Sequence, residues 1–218
     1  MSNLTPAKSI VVLVSGNGSN LQAILEQISL GKINGKVTAV VSNKQSAYAL
    51  TRAKEAGIPA IFIDHKSFAS RESYDQALKK SIDEFTPDLI VLAGFMRILT
   101  PEFVDYYSAR MLNIHPSLLP KYKGLDTHQR AIDAGDVEHG ASVHFVTPEL
   151  DGGPVVLQSK VPIFERQDPD ELAQRVQQQE RQMYPLVISW FCSDRLKMQN
   201  NKAMLDDKIL AEMGYAFG

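Results

Sequence analysis

Short β-branched runs that stop at glycine, alternating with amphipathic segments of helical period, constrain this chain more than any other feature. Ile10-Val11-Val12-Leu13-Val14 is apolar at every position and halts at Gly16, as a strand buried on both faces would. Leu21, Ile24, Leu25 and Ile28 then follow helical spacing, with Ser19 or Asn20 as the cap and Gly31 as the stop. The unit recurs. Val37 to Val41 reads as a strand, Ala47 to Ala56 as a helix closed by Gly57, and Ala60 to Ile63 as a strand. Ser67 to Phe85 reads as a longer amphipathic helix and Asp88 to Ala93 as a further buried strand, while Thr100-Pro101-Glu102 marks the next helix start. Such alternation implies right-handed βαβ units and a parallel sheet.

Beyond about residue 110 the strand candidates Met111 to His115, Ser142 to Val146 and Val155 to Val161 have less helix between them, which predicts a mixed or antiparallel extension of the same sheet. Asp168-Pro169-Asp170-Glu171 opens a long helix that Pro185 is expected to kink or end. The expected fold is therefore α/β, a Rossmann-like three-layer α/β/α arrangement. Residues 1–198 form a single domain and residues 199–218 a polar, peripheral tail with turn signals at Asn200-Asn201 and Asp206-Asp207. Composition narrows the partners. With 44% apolar and 22% charged residues the chain is globular, and a net charge of -2 gives no general attraction to nucleic acid or anionic membrane. Cys192 is the only cysteine, so no intrachain disulfide or cysteine metal cluster can form, as suits a reducing cytosol. No apolar run approaches the roughly 18 residues of a spanning helix, and the N-terminus lacks a signal core. A cytoplasmic protein without nucleic-acid or membrane partners is expected, as a monomer or weak homodimer.

In an open α/β sheet the chemistry gathers at the carboxyl ends of the strands. Ser15-Gly16-Asn17-Gly18-Ser19-Asn20 follows the first strand, and its glycines let backbone N–H groups approach an anion at a helix start. It lacks the third glycine of the dinucleotide fingerprint and the lysine of the P-loop, and an ordinary tight turn explains it equally well. Asn113 and His115 lie two apart on a strand and share a face, so both can converge on one substrate oxygen; a histidine satisfied inside the fold is the other reading. Glu149-Leu150-Asp151-Gly152-Gly153-Pro154 is explicable as a turn, but Asp151 on that loop, if near His115, would raise the imidazole pKa and hold its charged form. Glu180 sits in the apolar row of Val176 and Met183, either drifting into solvent or reaching a polar pocket. Met96-Arg97-Ile98-Leu99 can line a flat ring pocket or fill space under a helix.

Four ordered motifs, Ser15 to Asn20, Ala93 to Leu99, Asn113 to Pro120, and His144-Phe145-Val146 through Asp151-Gly152-Gly153-Pro154, together resemble the phosphoribosylglycinamide formyltransferases over about residues 8 to 198. The resemblance implies formyl transfer from the co-substrate 10-formyltetrahydrofolate to the amine of glycinamide ribonucleotide in purine synthesis, with no metal. It implies a catalytic trio of Asn113, His115 and Asp151. It places Gly18, Ser19 and Asn20 on the phosphate and Gln177 and Glu180 on the ribonucleotide. Arg71, Met96, Arg97, Ile98, Leu99 and the loop Thr147, Pro148, Glu149, Leu150 and Asp151, together with Asn113, surround the formyl-folate. One departure stands out: Asp126 occupies a position where many relatives are expected to carry histidine. In the implied reaction Asn113 and protonated His115 stabilise the oxyanion while Asp151 assists proton transfer, giving a bell-shaped pH dependence.

Two relatives of similar fold are less compatible. A formyltetrahydrofolate hydrolase would bring an N-terminal regulatory domain, yet the first strand starts about eight residues in, and a methionyl-tRNA formyltransferase would bring a C-terminal RNA-binding domain where this tail is short. A non-catalytic nucleotide-binding module is the remaining alternative. The five histidines, at 65, 115, 128, 139 and 144, show no metal-ligand spacing.

Overall fold

The five residues from Ile10 to Val14 in β1 (Lys8–Val14) are all fully buried, so this strand can lie only within a sheet covered on both faces. In the computed structural model, which describes residues 6–215, six more strands surround it. They are β2 (Gly35–Ser42), β3 (Ala60–Phe62), β4 (Leu89–Leu92), β5 (Met111–His115), β6 (Glu138–Phe145) and β7 (Val155–Pro162), arranged in the order β3-β2-β1-β4-β5-β6-β7. The pairs from β3 to β5 are parallel; β6 pairs antiparallel with β5 and β7. The mostly parallel sheet with an antiparallel extension is the one the sequence pattern implies.

The alternation of side chains along β1 assigns the layers. Ile10, Val12 and Val14 join the core beneath α1 (Ser19–Ser29), α2 (Tyr48–Glu55) and α6 (Pro169–Cys192), while Val11 and Leu13 join the opposite core beneath α3 (Arg71–Asp83) and α4 (Pro101–Tyr106). The chain leaves β1 towards β2 and β3, then returns to place β4 on the other side of β1. That reversal opens a crevice beyond the carboxyl ends of β1 and β4.

Several details differ from the sequence expectations. The helix expected over Ser67 to Phe85 begins only at Arg71, because the Ser70 hydroxyl accepts the Ser73 N–H at 3.2 Å and the preceding His65–Ser67 forms a separate 3-10 turn. A short helix, α5 (Thr127–Asp133), was not anticipated between β5 and β6. Pro185 does not end α6, which continues to Cys192. A proline costs an interior helix about 3 kcal/mol, but Tyr184, Val187, Ile188, Trp190 and Cys192 bury apolar surface on both sides of it. The expected boundary at residue 198 falls inside β8 (Leu196–Gln199), which pairs with β9 (Lys202–Leu205), itself paired with β10 (Lys208–Ile209). The tail is thus packed over its described part. Ala203 and Leu205 enter the main core, the Tyr215 N–H donates to Val156 O at 2.7 Å, and residues 216–218 lie outside the described residues. The two turn signals hold: Asn200, Asn201, Asp206 and Asp207 all adopt the left-handed backbone of tight hairpins.

Tyr184 ties α6 to the site end of the sheet, its hydroxyl lying 3.0 Å from Leu92 O and 2.9 Å from Leu112 O at the ends of β4 and within β5. Tyr184→Phe is expected to remove the one hydroxyl hydrogen these two carbonyls share and cost about 1–3 kcal/mol, read as a lowered midpoint in urea unfolding at unchanged m-value.

Candidate active site

Because β5 and β6 are antiparallel with Asn113 opposite His144, two polar side chains meet on one face while Leu112 and Ile114 enter the core on the other. His144 Nδ1 lies 2.8 Å from Phe145 O; a carbonyl only accepts, so Nδ1 carries the hydrogen. Nε2 is then free to accept the Asn113 amide at 3.1 Å, which orients that amide. Sequence analysis assigned His144 no role. Its register against Asn113 across the sheet was the missing information.

Asp151 reaches this pair from the β6–β7 loop. Its backbone is left-handed (φ 47), a conformation aspartate tolerates better than most residues. Gly153 allows the loop to lie flat, since a Cβ there would fall 1.9 Å from Phe145 O. The carboxylate, 8% exposed, accepts the Gly124 N–H at 2.9 Å through Oδ2, which also lies 3.5 Å from His115 Nδ1. Its Oδ1 is 3.5 Å from Asn113 Nδ2 and 3.7 Å from His144 Nε2. Asn113, His115 and Asp151, distant in sequence, therefore meet. Burial works against ionisation of Asp151, but the His144 and His115 rings and the Gly124 N–H outweigh it and hold the carboxyl below its ordinary range.

His115 departs from expectation. Its Nε2 donates to Tyr122 O at 2.9 Å, leaving Nδ1 as the atom that gains or loses a proton opposite Asp151. The sequence reading expected the acid to hold the imidazole charged. Instead burial disfavours the imidazolium more than Asp151 and the Tyr122 carbonyl favour it, and the pKa lies below the usual 6.5. Burial thus biases the ring towards its neutral form, with Nδ1 as the atom that titrates opposite the carboxylate.

The other expected residues divide into two groups around this centre. Arg97, Ile98, Leu99, Asn113 and Thr147 to Asp151 line one cleft, backed by Val104 and His144; Met96 and Arg71 are not among its lining residues. The 94–99 loop is pinned at its start by Ser15, whose hydroxyl donates to Asn43 at 2.5 Å and accepts the Met96 N–H at 2.8 Å. On the β1 side, Gly18 has φ 79, and a Cβ there would meet Ala49 Cβ at 2.6 Å, so glycine is required. No side chain caps α1 and its first turn holds no acid, which leaves the N–H groups and positive dipole end beside Ser19 and Asn20 available to an anion. Glu180 is buried rather than solvated. Its Oε2 accepts from Asn20 Nδ2 at 2.9 Å, burial pushes its carboxyl up, and Asn20 Oδ1 is without a partner. Gln177, one turn earlier on α6, is exposed. Asp126, the departure noted in sequence, holds the left-handed N-cap of α5 without a side-chain cap bond.

Two centres, one suited to an anion and one to acid/base chemistry, thus lie at the strand ends. The sequence profile described as formyl transferase matches residues 8–188. The chain belongs to the phosphoribosylglycinamide formyltransferase family. It is 58% identical over 208 residues to the phosphoribosylglycinamide formyltransferase of Escherichia coli (strain K12), covering 95% of this chain and 98% of that one. The Haemophilus influenzae enzyme of the same name is 51% identical over 209 residues, with 96% and 99% covered. The solved phosphoribosylglycinamide formyltransferase of Coxiella burnetii superposes with a TM-score of 0.93 at 51% identity, over 97% of this chain and 100% of that one.

Among the site's neighbours, His139 accepts or donates at 3.1 Å to His128, and both lie below the ordinary histidine pKa because of burial; His139 falls to about 4. His115 shifts in the same direction. An unfolded chain binds protons near pH 6.5 that these folded rings refuse, so their contribution to stability is present above pH 6.5 and lost as pH falls through the folded values. The thermal midpoint is expected to fall between pH 6.5 and 4, and to fall less steeply over that window in His139→Asn, as followed by circular dichroism.

Proposed function

We propose that the chain transfers the formyl group of 10-formyltetrahydrofolate to the amine of N1-(5-phospho-D-ribosyl)glycinamide, releasing tetrahydrofolate and the formylglycinamide ribonucleotide. The observation that carries this reading is the meeting of Asn113, His115 and Asp151, of which Asn113 and Asp151 line a cleft, within a chain that aligns along nearly its whole length with formyltransferases. The amine attacks the formyl carbon, the carbon–N10 bond breaks, and one proton passes from the attacking nitrogen to N10. Asn113 Nδ2 donates to the oxygen that gains charge; removing such a donor typically costs about 100- to 1000-fold in rate. Neutral His115 takes up the amine proton at Nδ1, where Asp151 stabilises the resulting imidazolium, and returns it towards the departing nitrogen. The balance is complete without a metal.

The two flanking centres supply the binding. Gly18, Ser19 and Asn20 receive the phosphate at the α1 N-terminus, with Glu180 and Gln177 on the ribose side. Arg97, Ile98, Leu99 and the Thr147 to Asp151 loop form the folate cleft, and Met96 and Arg71 are proposed folate contacts from outside its lining. The same reading makes the chain a cytoplasmic enzyme of purine synthesis, and the buried free thiol of Cys192 suits a reducing compartment.

Purified chain mixed with both substrates should generate deformylated folate, followed by absorbance. Product formed without the amine would indicate a hydrolase, and no product in any mixture would favour a binding module. Asp151→Asn is expected to retain ribonucleotide binding and lose turnover by about 100-fold or more; near-native turnover would remove Asp151 from the mechanism. kcat/KM should fall on the acid side with an apparent pKa below 6.5, since protonation disables His115, and flat activity from pH 5 to 9 would count against the pairing.

A further inference from the structure

We propose that Asp75 is a positioning residue for the folate-facing loop over residues 96–99, whose far end it fixes by accepting the Thr100 backbone N–H; this rests on the functional reading above. Asp75 lies on α3, 3% exposed, and its Oδ2 accepts from Thr100 N at 2.6 Å, a short charge-assisted bond. A carboxylate so deeply buried is rare without a compensating purpose. Capping of α4 does not supply one, because Thr100 itself caps that helix, its Oγ1 accepting the Phe103 N–H at 3.3 Å.

The consequence of the bond is mechanical. Leu99, immediately before Thr100, and Val104, one turn into α4, both line the cleft, so the bond sets where that wall stands. The start of the loop is held by the Ser15 hydroxyl on Met96 N. With both ends fixed to different elements, only the middle stays open: Met96 is 59% and Ile98 56% exposed. Burial pushes the Asp75 carboxyl up, and the Thr100 bond and the positive charges of Arg71 and Arg97 oppose that rise, the last of them on a cleft residue. The guanidinium of Arg97 lies 5.8 Å from the Tyr74 ring centroid and its Nε has no partner, nor do Asp75 Oδ1 and the Tyr74 hydroxyl. Asp75 thus offers the cleft arginine a nearby counter-charge without binding its fork directly, which leaves the fork available to an anionic ligand.

Asp75→Ala is expected to raise KM for 10-formyltetrahydrofolate about tenfold, from an unpaired buried N–H and a loosened wall. KM for the ribonucleotide and kcat should stay within about threefold of wild type, the scatter expected of a change that leaves those groups in place. Asp75→Asn, which keeps an acceptor for Thr100, should bring the folate KM back to within about threefold of wild type. An equal rise in both KM values, an unchanged folate KM, or an asparagine variant as impaired as the alanine variant would overturn the proposal. Should Asp75→Ala fail to fold, Asp75→Glu displaces the carboxylate by one methylene and is expected to show the same folate-selective rise; an unchanged folate KM in that variant would also overturn it. Turnover by the wild-type chain tests the underlying reading separately.

Discussion

A carboxylate withdrawn from water must be met by donors or positive charge, and the Asp151 side chain imposes that requirement on the whole site end of the sheet. The Gly124 N–H from the β5–β6 connection and the Asn113 amide from β5 meet it as donors, and the rings of His115 and His144 flank it. The antiparallel turn of the last strands makes this possible. It sets β6 beside β5 with His144 against Asn113, and delivers the following loop over the ends of both strands. The same burial that makes the carboxylate demanding also lowers the pKa of His115, so the pair is biased towards a carboxylate beside a base. Such a pair gains most from receiving a proton when a substrate amine offers one.

The parallel half of the sheet serves a different end. Its reversal at β1 and β4 opens the crevice in which the uncapped α1 faces the Glu180 side of α6, while Ser15 links that crevice to the 94–99 loop through one hydroxyl. An anion site and a cleft suited to a flat ring can thus flank one reactive centre, each anchored on rigid elements. Asp75 and Tyr184 act from outside the centre, the first on the loop's exit and the second on the strand ends beneath it.

Most of the fold was legible because burial on both faces writes itself into a sequence as uninterrupted β-branched runs, and amphipathic helices as a 3.6-residue period. The strands from β1 to β7 and the alternation of helices follow from that. The errors occur where tertiary burial overrides a local signal. Pro185 reads as a kink or a stop, and the stop does not occur because the apolar face around Tyr184 and Ile188 carries α6 through it. The polar tail is largely exposed as its composition implies, but Ala203 and Leu205 reach the core.

Residue chemistry and spacing by themselves determined that the chain is an α/β protein, that Asn113 and His115 share a face, and that glycines attend the two key turns, because these are properties of neighbouring residues along one backbone. The pairing of His144 with Asn113, the ionisation of His115, the burial of Glu180 against Asn20, and the grip of Asp75 on Thr100 were decided only by the tertiary structure. Each of these depends on which distant groups exclude water from a charge, and the cost of that exclusion is set by three-dimensional neighbours rather than by sequence order.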